Sequence, residues 1–176
     1  MKEQTYTQFI QQLIDGFQPG EPILVRELGN RIAEAYAMEE KKACAAAAVA
    51  VKRLIDTGTC PNLRFFAKGV YYVTKQTVFG ETGINKDKLI ELKYLKDGTG
   101  YETGAAVMHK LGLTTLMPAE RTFVSNSAQH RAKRDDALGI VIRAPRIPVN
   151  KENRFYLQFL DLLNMYDDVP VDAEDP

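Results

Sequence analysis

The chain has 176 residues, 45% of them hydrophobic and 26% charged, which suits one ordinary domain or two small ones and excludes wholesale disorder. Its 23 basic and 23 acidic residues give a formal net charge of zero, and two cysteines, Cys44 and Cys60, are too few for a disulfide framework or a zinc site. No window reaches the ~20 apolar residues of a membrane span, and Met1–Thr5 lacks the apolar core of a secretory signal, so the expectation is a cytoplasmic chain with no membrane partner and no cofactor.

From Thr5 to Phe17, apolar residues at Tyr6, Phe9, Ile10, Leu13, Ile14 and Phe17 recur at spacings of three and four, the stripe of an amphipathic helix that Gly16 and Pro19-Gly20 end. Pro22-Ile23-Leu24 reads as a short extended entry. Val25, Leu28, Ile32, Ala35 and Tyr36 predict a second helix over Val25–Ala37. An Ala-rich third helix, running to Asp56 with Ala43, Ala47, Val51, Leu54 and Ile55 on one side, follows a polar corner near Glu39. No Gly or Pro separates it from the second helix, so one long helix is the alternative, and Gly58 suits its left-handed cap. Leu63–Phe66 and Val70–Val73, aromatic and β-branched runs joined by Ala67-Lys68-Gly69, predict a β-hairpin. Lys75–Gly83 reads as a linker. Asn85 is an N-cap for a helix over Lys86–Lys96, and Ala105–Leu111 predicts a short helix closed by Gly112. Arg121–Ser125 and Leu138–Arg143 are strand candidates. The basic segment Gln129–Arg134 between them is a hairpin tip or an arm that touches phosphates. Lys151–Tyr166 is amphipathic and closes the second unit as a helix.

The zero net charge is an average. Residues 1–76 carry +2, residues 77–150 carry +3 and residues 151–176 carry −5, and between Lys41 and Arg146 there are 18 basic against 9 acidic residues. Such asymmetry points either to a polyanion-binding body with a separate acidic end, or to a solvated surface followed by a disordered acidic tail over 167–176.

Three helices followed by a hairpin within 76 residues describe a winged helix-turn-helix, whose third helix enters the major groove while the hairpin wing follows the backbone. On this reading Lys41, Lys42, Lys52 and Arg53 on the third helix, and Arg64 and Lys68 on the wing, neutralise phosphates of double-stranded promoter DNA. Lys52 or Arg53 would reach base edges, and Arg131, Lys133 and Arg134 would add contacts from the basic segment. The small residues Ala45, Ala46, Ala48 and Val49 suit either a helix seated deep in a groove or a close helix–helix contact inside the domain or in a dimer, and packing is the expectation for most of them. The fold class expected is α+β: a winged helix-turn-helix over 1–76, a small α+β domain over 77–166 and an acidic tail over 167–176.

Lys68-Gly69-Val70-Tyr71-Tyr72, Phe79-Gly80-Glu81, Gly100-Tyr101-Glu102-Thr103-Gly104, Leu111-Gly112-Leu113-Thr114-Thr115 and Met117-Pro118-Ala119 occur in an order that resembles the AbiEi-type antitoxins. The resemblance spans roughly Leu24 to Arg146. It implies a transcriptional regulator of a type IV toxin–antitoxin system, with a winged helix that represses its own operon. It also implies a second, antitoxin-like domain that counters a nucleotidyltransferase-like toxin. Two features depart from the family: the third helix is unusually Ala-rich, and the second domain is short.

Nothing in the sequence assembles an active site. His109 and His130 have no Cys or carboxylate at ligand or triad spacing, Cys60 has no activating base, and the glycines lack the strand–loop–helix context of a phosphate-binding loop. Thr114-Thr115 is expected to satisfy backbone groups in a turn. The reading is therefore non-enzymatic, with a winged-helix protein-interaction module, or a plain repressor without a toxin partner, as the alternatives.

Overall fold

A computed structural model describes residues 5–129 and 132–168. The chain adopts an α+β fold divided into two compact units, Met1–Leu89 and Ile90–Pro176.

In the first unit, α1 (Tyr6–Asp15) starts at a capping box: Thr5 Oγ1 accepts from the Gln8 amide at 3.3 Å and Gln8 Oε1 accepts from the Thr5 amide at 3.1 Å. Its buried residues Ile10 and Ile14 are spaced four apart, as the stripe requires. β1 (Pro22–Leu24) feeds directly into α2 (Val25–Tyr36). The chain then turns through Ala37, left-handed at φ 50°, into α3 (Glu40–Asp56). β2 (Leu63–Ala67) and β3 (Val70–Val73) form the expected hairpin. β3 also pairs with β1, giving an antiparallel sheet of order β1-β3-β2. The register slips between Phe65 and Ala67, so Phe66 is a bulge that bends the hairpin.

Helices α2 and α3 approach so closely that a Cβ at Gly29 would lie 2.6 Å from Cys44 Sγ and 2.8 Å from Cys44 Cα; glycine is what lets them meet. The facing methyls of Ala43 and Ala47 are fully buried beside Val51, Leu54, Leu28 and Ile32. The Ala-rich composition of α3 thus serves packing density, since small side chains shorten the distance between helix axes.

The first unit runs through Leu89 rather than ending at residue 76. The stretch expected as a linker folds into a two-stranded hairpin, β4 (Gln76–Thr77) and β5 (Gly80–Glu81), and it is tied back at several points. Thr74 N donates to Asn62 O at 2.8 Å, Thr74 Oγ1 donates to Thr82 O at 2.9 Å, and Asn85 N donates to Gly20 O at 2.8 Å. Backbone groups bonded this densely cannot behave as a free linker.

The second unit begins within a helical segment that changes pitch. Lys86–Ile90 is α-helical (α4), Glu91–Leu95 forms a π-turn and Lys96–Gly98 a 3₁₀ turn, where a single helix over Lys86–Lys96 was expected. Gly100–Thr103, a stretch in which no strand was expected, is strand β6. Gly100 is wedged where an added Cβ would lie 2.5 Å from Tyr94 O and 2.6 Å from Val124 O. α5 (Ala105–Lys110) buries Ala106, Val107 and Met108. β7 (Arg121–Ser125), β8 (Lys133–Asp135) and β9 (Ile140–Arg143) complete a four-stranded sheet of order β6-β7-β9-β8, in which β7 and β9 are parallel and the other pairs antiparallel. α6 (Arg154–Asn164) packs on β6, with Leu162 against Val107 and Met108, and Leu157 against Tyr101, Val124 and Val149. Of the expected acidic tail, Asp167 and Asp168 lie in a turn, and the remainder falls outside the described residues.

Candidate nucleic-acid interface

One side of α3 holds the core and the other is open. The buried positions Ala43, Ala47, Ala50, Val51 and Leu54 leave Lys41, Lys42, Ala45, Ala48, Val49, Lys52 and Arg53 exposed, and at 100° per residue these seven fall in one continuous arc. Of Ala45, Ala46, Ala48 and Val49, only Ala46 packs within the unit; the core contact is made by Ala43, Ala47 and Ala50, so packing inside the domain does not account for the other three. The open face is therefore a strip of Ala45 and Val49, with the exposed Asp56 at its C-terminal end, flanked by Lys41 and Lys52 on one side, with Ala48 just beyond them, and by Lys42 and Arg53 on the other. Lys42 lies 3.5 Å from Glu39, whereas Lys41, Lys52 and Arg53 have no carboxylate partner among the described residues. A groove of about 680 Å³ lies beside the strip, lined by Thr5, Tyr6 and Thr7 of the α1 entry, Tyr36, and Ala45, Ala46, Val49, Ala50 and Arg53. Tyr6 and Phe9 both stack edge-on against Tyr36, at 4.9 and 5.6 Å between ring centroids, which fixes one wall of this groove.

The hairpin contributes unequally. Lys68 is exposed in the β2–β3 turn, whose Gly69 carbonyl accepts from the Val25 amide at 3.0 Å. Arg64, expected on the same phosphate-binding surface, turns the other way. Its Nη2 and Nε donate to the two carboxylate oxygens of Glu81 at 2.7 and 3.1 Å, and its Nη1 donates to Pro61 O at 2.6 Å. This fork holds the Glu81 carboxyl below its usual range, and Glu81 in turn raises Arg64. Arg64 thus clamps the β4–β5 hairpin to the sheet, with its charge already matched.

The basic segment between β7 and β9 also differs from expectation. Arg131 and His130 lie outside the described residues. Lys133 and Arg134 belong to strand β8, and the turn of the hairpin is made by Asp136–Gly139 instead. Arg134 pairs with Glu120 at 2.7 Å and with Asp136 at 3.1 Å, so its charge is locally satisfied, while Lys133 is exposed with no ion pair among the described residues.

The stretches that carry the family resemblance are occupied in building the second unit. Thr103, almost fully buried, donates to Asp161 Oδ2 at 3.3 Å, and Tyr101 donates to the same oxygen at 3.0 Å. Burial first, and Asp161 second, push the Tyr101 hydroxyl well above its ordinary value, so it stays a donor. Burial alone would raise Glu102, but hydrogen bonds from Arg121 (2.6 Å) and Lys110 outweigh it and hold the carboxyl below its usual range. Asp135 behaves alike: burial pushes it up, and Lys93 at 2.8 Å with Tyr94 at 2.7 Å brings it below the ordinary value. Thr114 is turned inward: its carbonyl accepts from His109 Nδ1 at 3.1 Å and its hydroxyl from the Leu116 amide at 3.1 Å. His109 is thereby a half-buried structural donor. Cys60 is raised by burial and by Asp15, the opposite of an activated thiol.

Three apolar side chains are exposed without the sequence having marked them so. Val78 and Phe79, at 94% and 99% exposure, form the tip of the β4–β5 hairpin, which Thr77 Oγ1 closes by donating to Gly80 O at 2.7 Å. Phe65 projects from the outer side of β2, stacked edge-on against Tyr71 at 5.6 Å. None shows a periodicity that would have marked its exposure.

Among the described residues no group of three or more His, Cys, Asp or Glu is placed to hold a metal ion, and no helix is long and apolar enough to cross a membrane. No family model, no curated protein and no solved structure matches this chain.

Proposed function

We propose that the first unit is a winged helix-turn-helix that binds double-stranded promoter DNA, and that the protein is a transcriptional regulator acting as an AbiEi-like antitoxin in the cytoplasm. The observation that carries this reading is the open face of α3: four basic side chains bordering Ala45 and Val49, with Ala48 alongside, on a helix locked against α2 at Gly29 and Cys44. Cations at the edges of such a face suit two phosphate strands. Small side chains between them allow close approach to base edges and thymine methyls. The order α1-β1-α2-α3-β2-β3 and the three-stranded sheet β1-β3-β2 support the winged-helix assignment, with β2–β3 as the wing and Lys68 at its tip.

The antitoxin half of the proposal rests on the motifs from Gly100 to Ala119, and a nucleotidyltransferase-like toxin is the partner they imply. Those residues maintain the fold of the second unit, so toxin recognition would fall to surfaces the motifs only support. A protein-interaction module is the second reading, favoured by the Val78-Phe79 tip. No part of the proposal calls for a catalytic residue or a cofactor.

A mobility-shift assay with the chain's own upstream region separates the two. Under the DNA reading, five phosphate contacts from α3 and Lys68 lower the affinity by about 10² to 10³ between 50 and 200 mM salt. No shift at low salt, or equal affinity for any duplex, would remove specific repression.

A further inference from the structure

α6 is the most lopsided element of the second unit. Its inward face is fixed in rotation: Leu157 and Leu162 pack into the unit, Asp161 accepts from Tyr101 and Thr103, and Gln158 Nε2 donates to Glu102 O at 2.9 Å. The outward face consequently holds Phe155, Tyr156, Phe159, Leu160, Leu163 and Tyr166, each between 48% and 73% exposed, with no charged side chain among them. At about 200 Å² per large side chain, these present roughly 700 Å² of contiguous surface, above the ~300–600 Å² that a typical monomer shows as its largest apolar patch.

We infer that this stripe is the contact between two copies of the chain, joined as an antiparallel α6–α6 pair about a two-fold axis near Phe159 and Leu160. The area is close to the ~800 Å² per partner of a stable interface. The charges at its ends favour a second copy over an unrelated partner. Lys151 and Arg154 stand at the N-terminal end beside a single opposing Glu152, and Asp167 and Asp168 stand at the C-terminal end. Antiparallel pairing sets each basic end against the partner's acidic end, and the two-fold repeats that match on the other side. Arg154 lies over the Phe155 ring at 4.4 Å and its buried Nε has no hydrogen-bond partner among the described residues. Within the stripe the spacings 155–159–163 and 156–160 follow the i+4 ridge that interdigitates with an identical ridge.

The test is sedimentation equilibrium of the full chain across low to high micromolar concentration. The expected result is a reversible dimer of twice the 19.8 kDa chain mass. Phe159→Glu and Leu160→Glu, one at a time, should each raise the dimer dissociation constant more than about 30-fold, because each change enters the two-fold interface twice. Circular dichroism establishes that each variant keeps its helical content. Independently of any variant, amide exchange of residues 154–164 in the unaltered chain should slow as concentration rises. A monomer at every concentration overturns the inference, whatever else then covers the stripe. So does a dimer that both folded variants leave intact, or exchange in α6 that ignores concentration.

Discussion

Ala37 carries the sharpest local cost in the first unit. It holds φ 50° and ψ 43° at the α2–α3 corner, where its amide donates to Ala33 O. An L-residue pays about 1–2 kcal/mol for that conformation, and glycine avoids it at an entropic cost of about 0.5–1 kcal/mol in the unfolded chain. Ala37→Gly should therefore stabilise the first unit by about 0.5 kcal/mol, read as a higher midpoint in urea unfolding. Arg64 and Lys68 are near neighbours in sequence with opposite duties, which separate under substitution. Under the DNA reading, Lys68→Ala should reduce the salt slope of binding by about 0.9, the share of one phosphate. Arg64→Ala should leave that slope nearly unchanged, since Glu81 already neutralises the guanidinium. Its effect should be faster amide exchange in β4 and β5, whose clamp it removes. A slope that falls equally for both would refute this division.

At the scale of elements, the helices of the first unit are written plainly in their sequence. Tyr6 to Phe17 and Val25 to Tyr36 bury one stripe each, so periodicity alone reports them, and the aromatic hairpin announces itself at Lys68-Gly69. α3 was legible as a helix and largely in its rotation: of the stripe Ala43, Ala47, Val51, Leu54 and Ile55, the first four are buried and only Ile55 is exposed. The Ala run alone lacks contrast between its faces, and it is Val51 and Leu54 that mark the inner side, with Ala50 added by the close crossing at Gly29 and Cys44. The β4–β5 hairpin was illegible for another reason: two-residue strands carry no period, and their pairing is set by Thr74, Thr82 and Arg64 reaching across. β6 was missed because Gly100 and Gly104 bracket it with turn-like residues, although Gly100 is required by backbone proximity rather than by a turn. With the orientation of α3 known, its contribution can be stated. Under the DNA reading, Lys52→Ala with Arg53→Ala should weaken promoter binding and lower the salt slope by close to 2, about 0.9 per cation, with thermal stability within about 0.5 kcal/mol of the original. An unaltered slope would exclude this face from the contact.

For the molecule as a whole, the two units differ in how they meet acid. Glu102 and Asp135, partly buried carboxylates that hydrogen-bonded cations hold down, both belong to the second unit, whereas Glu81 of the first unit, likewise held down by Arg64, is solvent-exposed and its pair is screened. A carboxylate whose folded value is depressed contributes fully above its ordinary value, here 4.5 for Glu102 and 3.8 for Asp135, and loses that contribution as pH falls through the lower folded value. The second unit should thus unfold first as pH drops below about 4.5, while the first, whose core is almost wholly apolar, persists. Residue-resolved amide exchange on an acid series checks the order. Glu102→Gln should cost the second unit about 2 kcal/mol at neutral pH and flatten its acid dependence, by leaving Arg121 and Lys110 without their carboxylate. The arrangement of α3 has an evolutionary corollary. Because Ala43, Ala47, Ala50 and the Gly29 crossing carry the helix's folding duty, the positions at 45, 48, 49 and 52 are released from it. Substitutions there can accumulate without eroding the core, so descendants of this chain can change the surface α3 presents while keeping the scaffold that presents it.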